Sequence, residues 1–489
     1  MNREIMIRGL VSCIIAGALT WHIYQTGEQD LDPMPPEQGK IRYASAIPVL
    51  LLLTALPFLA LLIPLSYDGA SILRSLLSMC FPIFLSICVY YALLLPALPL
   101  LRRRISARTC AVLWLLPNYL YYTALSFMEL PAPRWVISLP VPAAAMVAVW
   151  AMGACAVLGW KIAGHLRFRH TLLKDARPVE DPEQLALWRR ELEDAGYQKI
   201  DRTLVISPAA ATPLSVGLFL RTTRVVLPER NYTPEDLALI LRHEIIHISR
   251  RDSATKFFLV FCTAVCWFNP LMWLAMERSA QDLELSCDET VVLGIGQEKR
   301  RRYAELLLTA AGDARGFTTC LSASAQAMRY RLRNVIHPIR RSGGALLAGA
   351  VMLVLIMTCG YTALAYGHTT GAEAFFPSGR MEDYTFRTAS WVTPSQTCAC
   401  TCEDPDALTA GLKGLELEYL TDNYTFSEVY PLWGVCYEGP DGTFWVACYE
   451  QMVRVAFEDG YRLHWENTYY LPDSADLDAL AALLVFENP

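Results

Sequence analysis

LRHEIIHISRRD, residues 241–252, is the stretch around which the rest of this 489-residue chain has to be read. At about 100° per residue, His243 and His247 fall one turn apart on the flank of a helix, with Glu244 between them. Two imidazoles so placed can reach one ion while the carboxylate faces that ion's open position. A zinc hydrolase needs this arrangement, because zinc lowers the pKa of bound water to about 7 and a glutamate then takes the proton. Accident is a weak rival: at this composition a His-Glu-x-x-His pentad is expected roughly 0.01 times.

The helix carrying the pentad has a marked start. Thr233 suits the cap, Pro234 the first turn and Asp236 the third position, and Leu237, Ile240, Leu241, Ile245 and Ile248 follow as a buried stripe. A catalytic zinc also needs a third protein ligand and an open fourth position. The next predicted helix, capped by Asn269 and opened by Pro270, carries Glu277, Gln281, Glu284 and Asp288 along one stripe. Such a stripe could be a solvated face, but Trp273, Ala280, Cys287 and Val291 border it, which predicts partial burial. Buried carboxylates need a partner, and a metal ion would supply one. Spacing alone does not choose among the four.

Outward from this site the chain is apolar: 54% of its residues are hydrophobic and 18% charged. Stretches near the roughly 20 residues that cross a bilayer as a helix occur at 5–24, 44–66, 77–101, 109–128, 135–160 and 343–366. The first reads as a retained anchor rather than a signal peptide, since no short polar region with small residues follows it. Arg102, Arg103, Arg104 and Arg108 form one basic loop, and Lys161, His165, Arg167, Arg169, His170 and Lys174 follow the fifth stretch. Both places read as cytoplasmic, as do Arg329, Arg331, Arg333, Arg340 and Arg341 before the last stretch. The expected division is therefore a transmembrane bundle of about five spans over 1–164, a cytoplasmic domain over 165–342, a final span over 343–366 and an extracytoplasmic domain over 367–489. Parity places the N-terminus outside. Charge fits this split: residues 368–489 hold 20 Asp and Glu against 5 Lys and Arg, a net of −15 that leaves +9 for the rest.

DPEQLALWRRELEDAGY, residues 181–197, reads as a surface helix and TRVVLPE as a short β segment ended by proline. FFLVFCTAVCWFNPLMWLAM, interrupted at Asn269 and Pro270, reads either as two half-helices leaning on the membrane or as a buried hairpin. The acidic tail, with alternating runs such as TFWVACYE, reads as a small α+β or mostly β domain. Five of the fifteen cysteines, Cys398, Cys400, Cys402, Cys436 and Cys448, lie in that tail, where disulfides can persist. A disulfide arrangement is expected there ahead of a CACTC metal loop, with one thiol left over.

ATPLSVGLFLRTTRVVLPER, LILRHEIIHISRRD, WFNPLMW and LELSCDETVV, in that order, resemble the BlaR/MecR family of integral-membrane zinc metallopeptidases, signal transducers that act as antirepressors by cleaving a cytoplasmic repressor. The resemblance covers about residues 75–365. It implies a multi-span α-helical membrane protein with a gluzincin-like α+β zinc peptidase domain in the cytoplasm. His243, His247 and Glu284 would be the zinc ligands, Glu244 the general base, and Asp288 a group that orients a histidine. VGLFLRTTRVVLPE would resemble the edge strand along which substrate pairs; an ordinary sheet strand is the rival reading. Arg250 and Asp252 match the tail of the family motif, though a surface ion pair explains them equally well. Tyr303, Arg329 and Arg331 are transition-state candidates by chemistry alone.

The chain departs from the β-lactam sensors of that family at its end. Their penicillin-binding domain uses a Ser-x-x-Lys pair; the tail here has one lysine, Lys413, and Ala410 stands three residues before it. The penicillin-binding sensor domain is therefore not expected, and the extracellular ligand is open. The leading expectation is a membrane zinc endopeptidase that transduces an extracellular signal by cutting a cytoplasmic protein, a winged-helix repressor being the candidate. The alternatives are a housekeeping membrane protease without a repressor and a non-catalytic receptor with a structural metal site. Self-cleavage at Arg300–Arg302 is a further possibility raised by the resemblance. Partners would be that substrate, the external ligand and membrane lipid; no DNA-reading module is present, so no direct nucleic-acid contact is expected.

Overall fold

A computed structural model describes residues 3–32, 40–46, 69–121, 133–139, 141–197, 203–218, 222–313, 321–337, 344–375, 384–392, 397–422, 432–440, 442–459, 462–473 and 475–486. The chain opens with α1 (Arg3–Leu31), α2 (Gly69–Leu101) and α3 (Ala107–Leu113), followed by a 3-10 turn at Leu116–Tyr119. Strand β1 (Trp135–Leu139) leads into α4 (Ala143–Leu173). Among the described residues, two helices are long and apolar enough to cross a membrane, Cys80–Leu101 and Ala143–Leu173.

The expected spans are thus corrected in part. Stretch 5–24 lies inside the longer α1, which carries the acid Asp30 near its end. Stretch 44–66 falls mostly outside the described residues. Stretch 109–128 is not one helix as far as it is described: α3 stops at Leu113, and Pro117 sits in the 3-10 turn. Stretch 135–160 begins as a strand, because Pro142 caps the helix behind it. Stretch 343–366 is a short helix, α11 (Ala345–Thr358), that turns at Gly360 into strand β6 (Thr362–Thr370). The two helices α1 and α11 pack closely: a Cβ added at Gly349 would collide with Thr20.

The middle of the chain folds as a small sheet covered by helices. Strands β2 (Arg177–Pro178), β3 (Thr203–Ser207), β4 (Leu214–Val216) and β5 (Arg224–Pro228) lie in the order β2-β3-β5-β4, with α5 (Pro182–Asp194) between β2 and β3 in sequence. β5 runs parallel to β3 and antiparallel to β4, so β4, not the VVLP segment of β5, is the edge. Gly217 turns β4 toward β5 at φ 131°, with Thr222 so close that a Cβ would lie 2.6 Å from its carbonyl oxygen. Glycine is needed there for both reasons.

Helices α6 (Pro234–Arg250), α7 (Asp252–Val265), α8 (Pro270–Val291), α9 (Gln297–Asp313) and α10 (Leu321–Ile336) complete this part. Leu237, Leu241 and Ile245 of α6 join Trp188, Val225, Leu227 and Val291 in one core. The FFLVFCTAVCWFNPLMWLAM run is the hairpin of α7 and α8. Phe258, Cys262, Cys266 and Met272 are buried with Ile87, Tyr91 and Trp114 of the N-terminal helices. Trp150 of α4 donates to the Val265 carbonyl at 2.8 Å, and Trp267 donates back to the Trp150 carbonyl at 3.1 Å.

The strands from β6 onward join β1 in a ten-stranded sheet. After α12 (Gly371–Phe375) come β7 (Thr385–Val392), β8 (Thr397–Cys402), α13 (Pro405–Gly414), β9 (Glu416–Asp422), β10 (Trp433–Gly439), β11 (Gly442–Cys448), β12 (Met452–Asp459), β13 (Arg462–Tyr470), α14 (Ala475–Ala481) and β14 (Leu484–Phe486). The order is β1-β6-β9-β13-β12-β11-β10-β7-β8-β14, antiparallel between the tail's own strands. Its outermost member is β1, paired parallel with β6 from Trp135↔Thr362 to Leu139↔Tyr366. Leu408 and Leu412 of α13 and Leu477 and Leu480 of α14 cover a core of Val435, Val446, Val453 and Val455. No disulfide joins any two of Cys400, Cys402, Cys436 and Cys448; Cys398 lies outside the described side chains. The register explains part of this, since Cys436 faces Trp445 and Cys448 faces Trp433 across β10 and β11.

Candidate metal centre

Local chemistry fixes α6. Thr233 accepts from the Asp236 amide at 3.2 Å, Pro234 fills the first turn, and Arg302 of α9 grips the Asp236 carboxylate with two bonds of 2.7 Å. Arg302 therefore sits within a helix and is engaged, which argues against cleavage at Arg300–Arg302 without unwinding α9. At the other end of α6, Arg251 takes a left-handed conformation, φ 57°, and α7 starts at the very next residue. This turn drops the Asp252 carboxylate onto His247 Nδ1 at 2.6 Å.

His243 and His247 bring their Nε2 atoms to 3.1 Å of each other. Glu284 of α8 reaches the same point: its Oε2 lies 3.5 Å from His247 Nε2 and 3.7 Å from His243 Nε2. Donors about 2.1 Å from a tetrahedral zinc stand roughly 3.4 Å apart, so these three atoms fit three corners around one ion. A zinc ion held there would supply Lewis-acid polarisation of a carbonyl and a water of pKa about 7. Cys287 is a rival third donor, since its thiol and the two imidazoles offer ligand atoms within 4.8 Å of one another. Its Sγ, however, lies against His243 Nδ1 at 3.3 Å and the His243 carbonyl at 3.4 Å, behind the ring. Glu284 Oε2, by contrast, faces the two Nε2 atoms where they converge.

The opposite edges of both rings are held. His243 Nδ1 donates to the Tyr303 hydroxyl at 2.8 Å, and that hydroxyl donates to Asp288 Oδ1 at 2.7 Å. Asp288, fully buried, is gripped by Arg331 of α10 through bonds of 2.6 and 2.9 Å. Asp288 thus acts on His243 chiefly through Tyr303, its own oxygen being 3.6 Å from Nδ1. With Nδ1 of each ring occupied, Nε2 is left for the ion. Burial would push the Glu284 carboxyl up, but Lys256, His247 and His243 outweigh it and hold it well below the usual range. Burial acts in the opposite direction on His243, lowering it, yet Cys287 and Glu284 together bring it up to about 10. An incoming metal ion therefore competes with protons here.

Several expectations change. Tyr303 and Arg331 are engaged around Asp288 and also line the cleft, whereas Arg329 is exposed and does not line it. Glu277 is exposed, and Gln281 bonds Arg278 instead. Arg250 and Asp252 do not form a surface pair: Arg250 is buried against Asp30 of α1, Ser286 and Thr290. Asp252's role was missed, because no sequence signal marks Arg251 as left-handed. Glu244 is buried at 5% exposure and lines a cleft of about 990 Å³ beside His243, His247 and Glu284. Ser215, Val216 and Gly217 at the β4 edge and Ile162, His165 and Leu166 of α4 line the same cleft.

Residues 131–335 match the family described as BlaR1 peptidase M56. This chain carries a peptidase domain of the BlaR/MecR family. Over 190 residues it is 26% identical to regulatory protein BlaR1 of Bacillus licheniformis, which covers 38% of this chain and 31% of that protein. Over 115 residues it is 24% identical to the methicillin resistance mecR1 protein of Staphylococcus aureus (strain Mu50 / ATCC 700699), 23% of this chain and 19% of that protein. The mecR1 protein of Staphylococcus epidermidis gives the same figures. The matched part thus spans under a third of these relatives' length, and α6, α7 and α8 lie inside the residues that match the family.

Proposed function

We propose that this chain is a membrane zinc endopeptidase that relays an external signal by cutting a cytoplasmic protein. His243, His247 and Glu284 hold the ion, Glu244 is the general base, and Asp252 and the Tyr303–Asp288 pair orient the two imidazoles. The observation that carries this reading is the convergence of two Nε2 atoms and one carboxylate oxygen beside a cleft that Glu244 also lines. The β4 edge supports a polypeptide substrate, since an extended chain can add to a free strand edge beside the ion position. The two long apolar helices support the membrane.

The relay is supported by chain continuity. β1 belongs to the tail sheet by hydrogen bonding and to α4 by sequence, and α4 lines the cleft. Ser138 of β1 also donates to the buried Glu418 of β9 at 2.7 Å. A shift of the tail sheet is thereby passed to one wall of the cleft. The relatives' names, a regulatory protein and a resistance protein, make a transcriptional repressor the first substrate to try. The test is the full-length chain with Glu244→Gln, co-expressed with such a repressor. Cleavage should stop while membrane insertion and bound zinc persist; continued cleavage would refute the assignment.

A further inference from the structure

We propose that Lys256 is a positioning residue that keeps Glu284 bound to the ion through one oxygen only. This rests on the reading of His243, His247 and Glu284 as ligands. The two oxygens of Glu284 have different surroundings. Oε2 faces both imidazole Nε2 atoms at 3.5 and 3.7 Å, whereas Oε1 receives the Lys256 ammonium at 3.1 Å. Arg331 does not compete for that place: its Nη2 is 3.6 Å from Oε2, beyond hydrogen-bond reach, and its fork is taken by Asp288.

An ion pair with a side chain as open as Lys256, 46% exposed, usually contributes little. This one differs because the other oxygen of its acceptor faces the ion position. The ammonium draws charge from Oε1 and pins the plane of the carboxylate. Without it the group can turn both oxygens toward the ion, raising the coordination number and filling the direction that Glu244 and the substrate share. Lys256 also lines the cleft beside Glu244, so the position it keeps clear is the one the proposed chemistry uses.

Cobalt(II), loaded into the full-length detergent-purified chain in place of zinc, reads the coordination number through its visible bands. The wild type should bind one equivalent with the strong absorption of a four-coordinate site. Lys256→Met should still bind one equivalent, with absorption lowered by roughly half or more as the site becomes five-coordinate. Lys256→Arg should keep the wild-type spectrum, and Lys256→Gln should fall between. A wild type that binds no cobalt would refute the metal centre itself. Stoichiometric binding by the wild type with an unchanged Lys256→Met or Lys256→Gln spectrum, or a folded variant without cobalt, would overturn the role of Lys256 alone.

Discussion

Arg331→Met tests whether the buried support behind His243 is as consequential as its geometry suggests. The change keeps much of the apolar stem and removes both bonds to Asp288, of 2.6 and 2.9 Å. Asp288 has no exposed side-chain surface, so its charge would be left with the Tyr303 hydroxyl alone. Removing one partner of a buried ion pair costs about 3–5 kcal/mol, and the 18% exposure of Arg331 points to the lower end, about 3 kcal/mol. Urea unfolding of the full-length chain in detergent, read by pulse proteolysis, measures it. Adding Asp288→Asn to the variant should recover part of the loss, since the stranded charge is then gone. A loss below about 1 kcal/mol, in the range of surface pairs, would refute the reasoning, as would a double variant no more stable than the single.

Asp252→Asn should weaken zinc binding by about 10–100-fold while the fold persists, because His247 loses the carboxylate that orients it; equilibrium dialysis would detect it, and unchanged affinity would count against the arrangement. Asp236 is held below the usual carboxylate range, chiefly by its bonds to Arg302. A lowered folded value contributes stability that is complete above the unfolded value near about pH 4 and fades as pH falls through the folded one. The wild-type advantage over Asp236→Asn in urea midpoint should therefore be level at neutral pH and shrink in acid; an advantage that grows in acid would contradict it.

Local signals carried much of the site. The Thr233–Pro234 and Asn269–Pro270 starts and the i, i+4 histidines are contained within single helices, and those helices appear where the signals stand. Choice among the polar stripe of α8 was not local. Glu277, Gln281, Glu284 and Asp288 share one spacing, and only the packing of α8 on α6 brings Glu284 and Asp288 to the histidines. Tyr303 and Arg331 were recognised by chemical type, but their shared partner Asp288 lies on another helix and was not legible as such. The spans erred where apolar content alone was read. Residues 135–139 and 362–366 are apolar segments that pair as sheet strands, a case that hydrophobicity does not separate from helix.

The central claim is that His243, His247 and Glu284 form an open zinc site, and zinc K-edge X-ray absorption on the full-length protein tests it most directly. The account predicts one zinc per chain with nitrogen and oxygen neighbours at about 2.0–2.2 Å and no sulfur. A sulfur neighbour at about 2.3 Å would make Cys287 the third ligand in place of Glu284, and no bound zinc would remove the centre altogether.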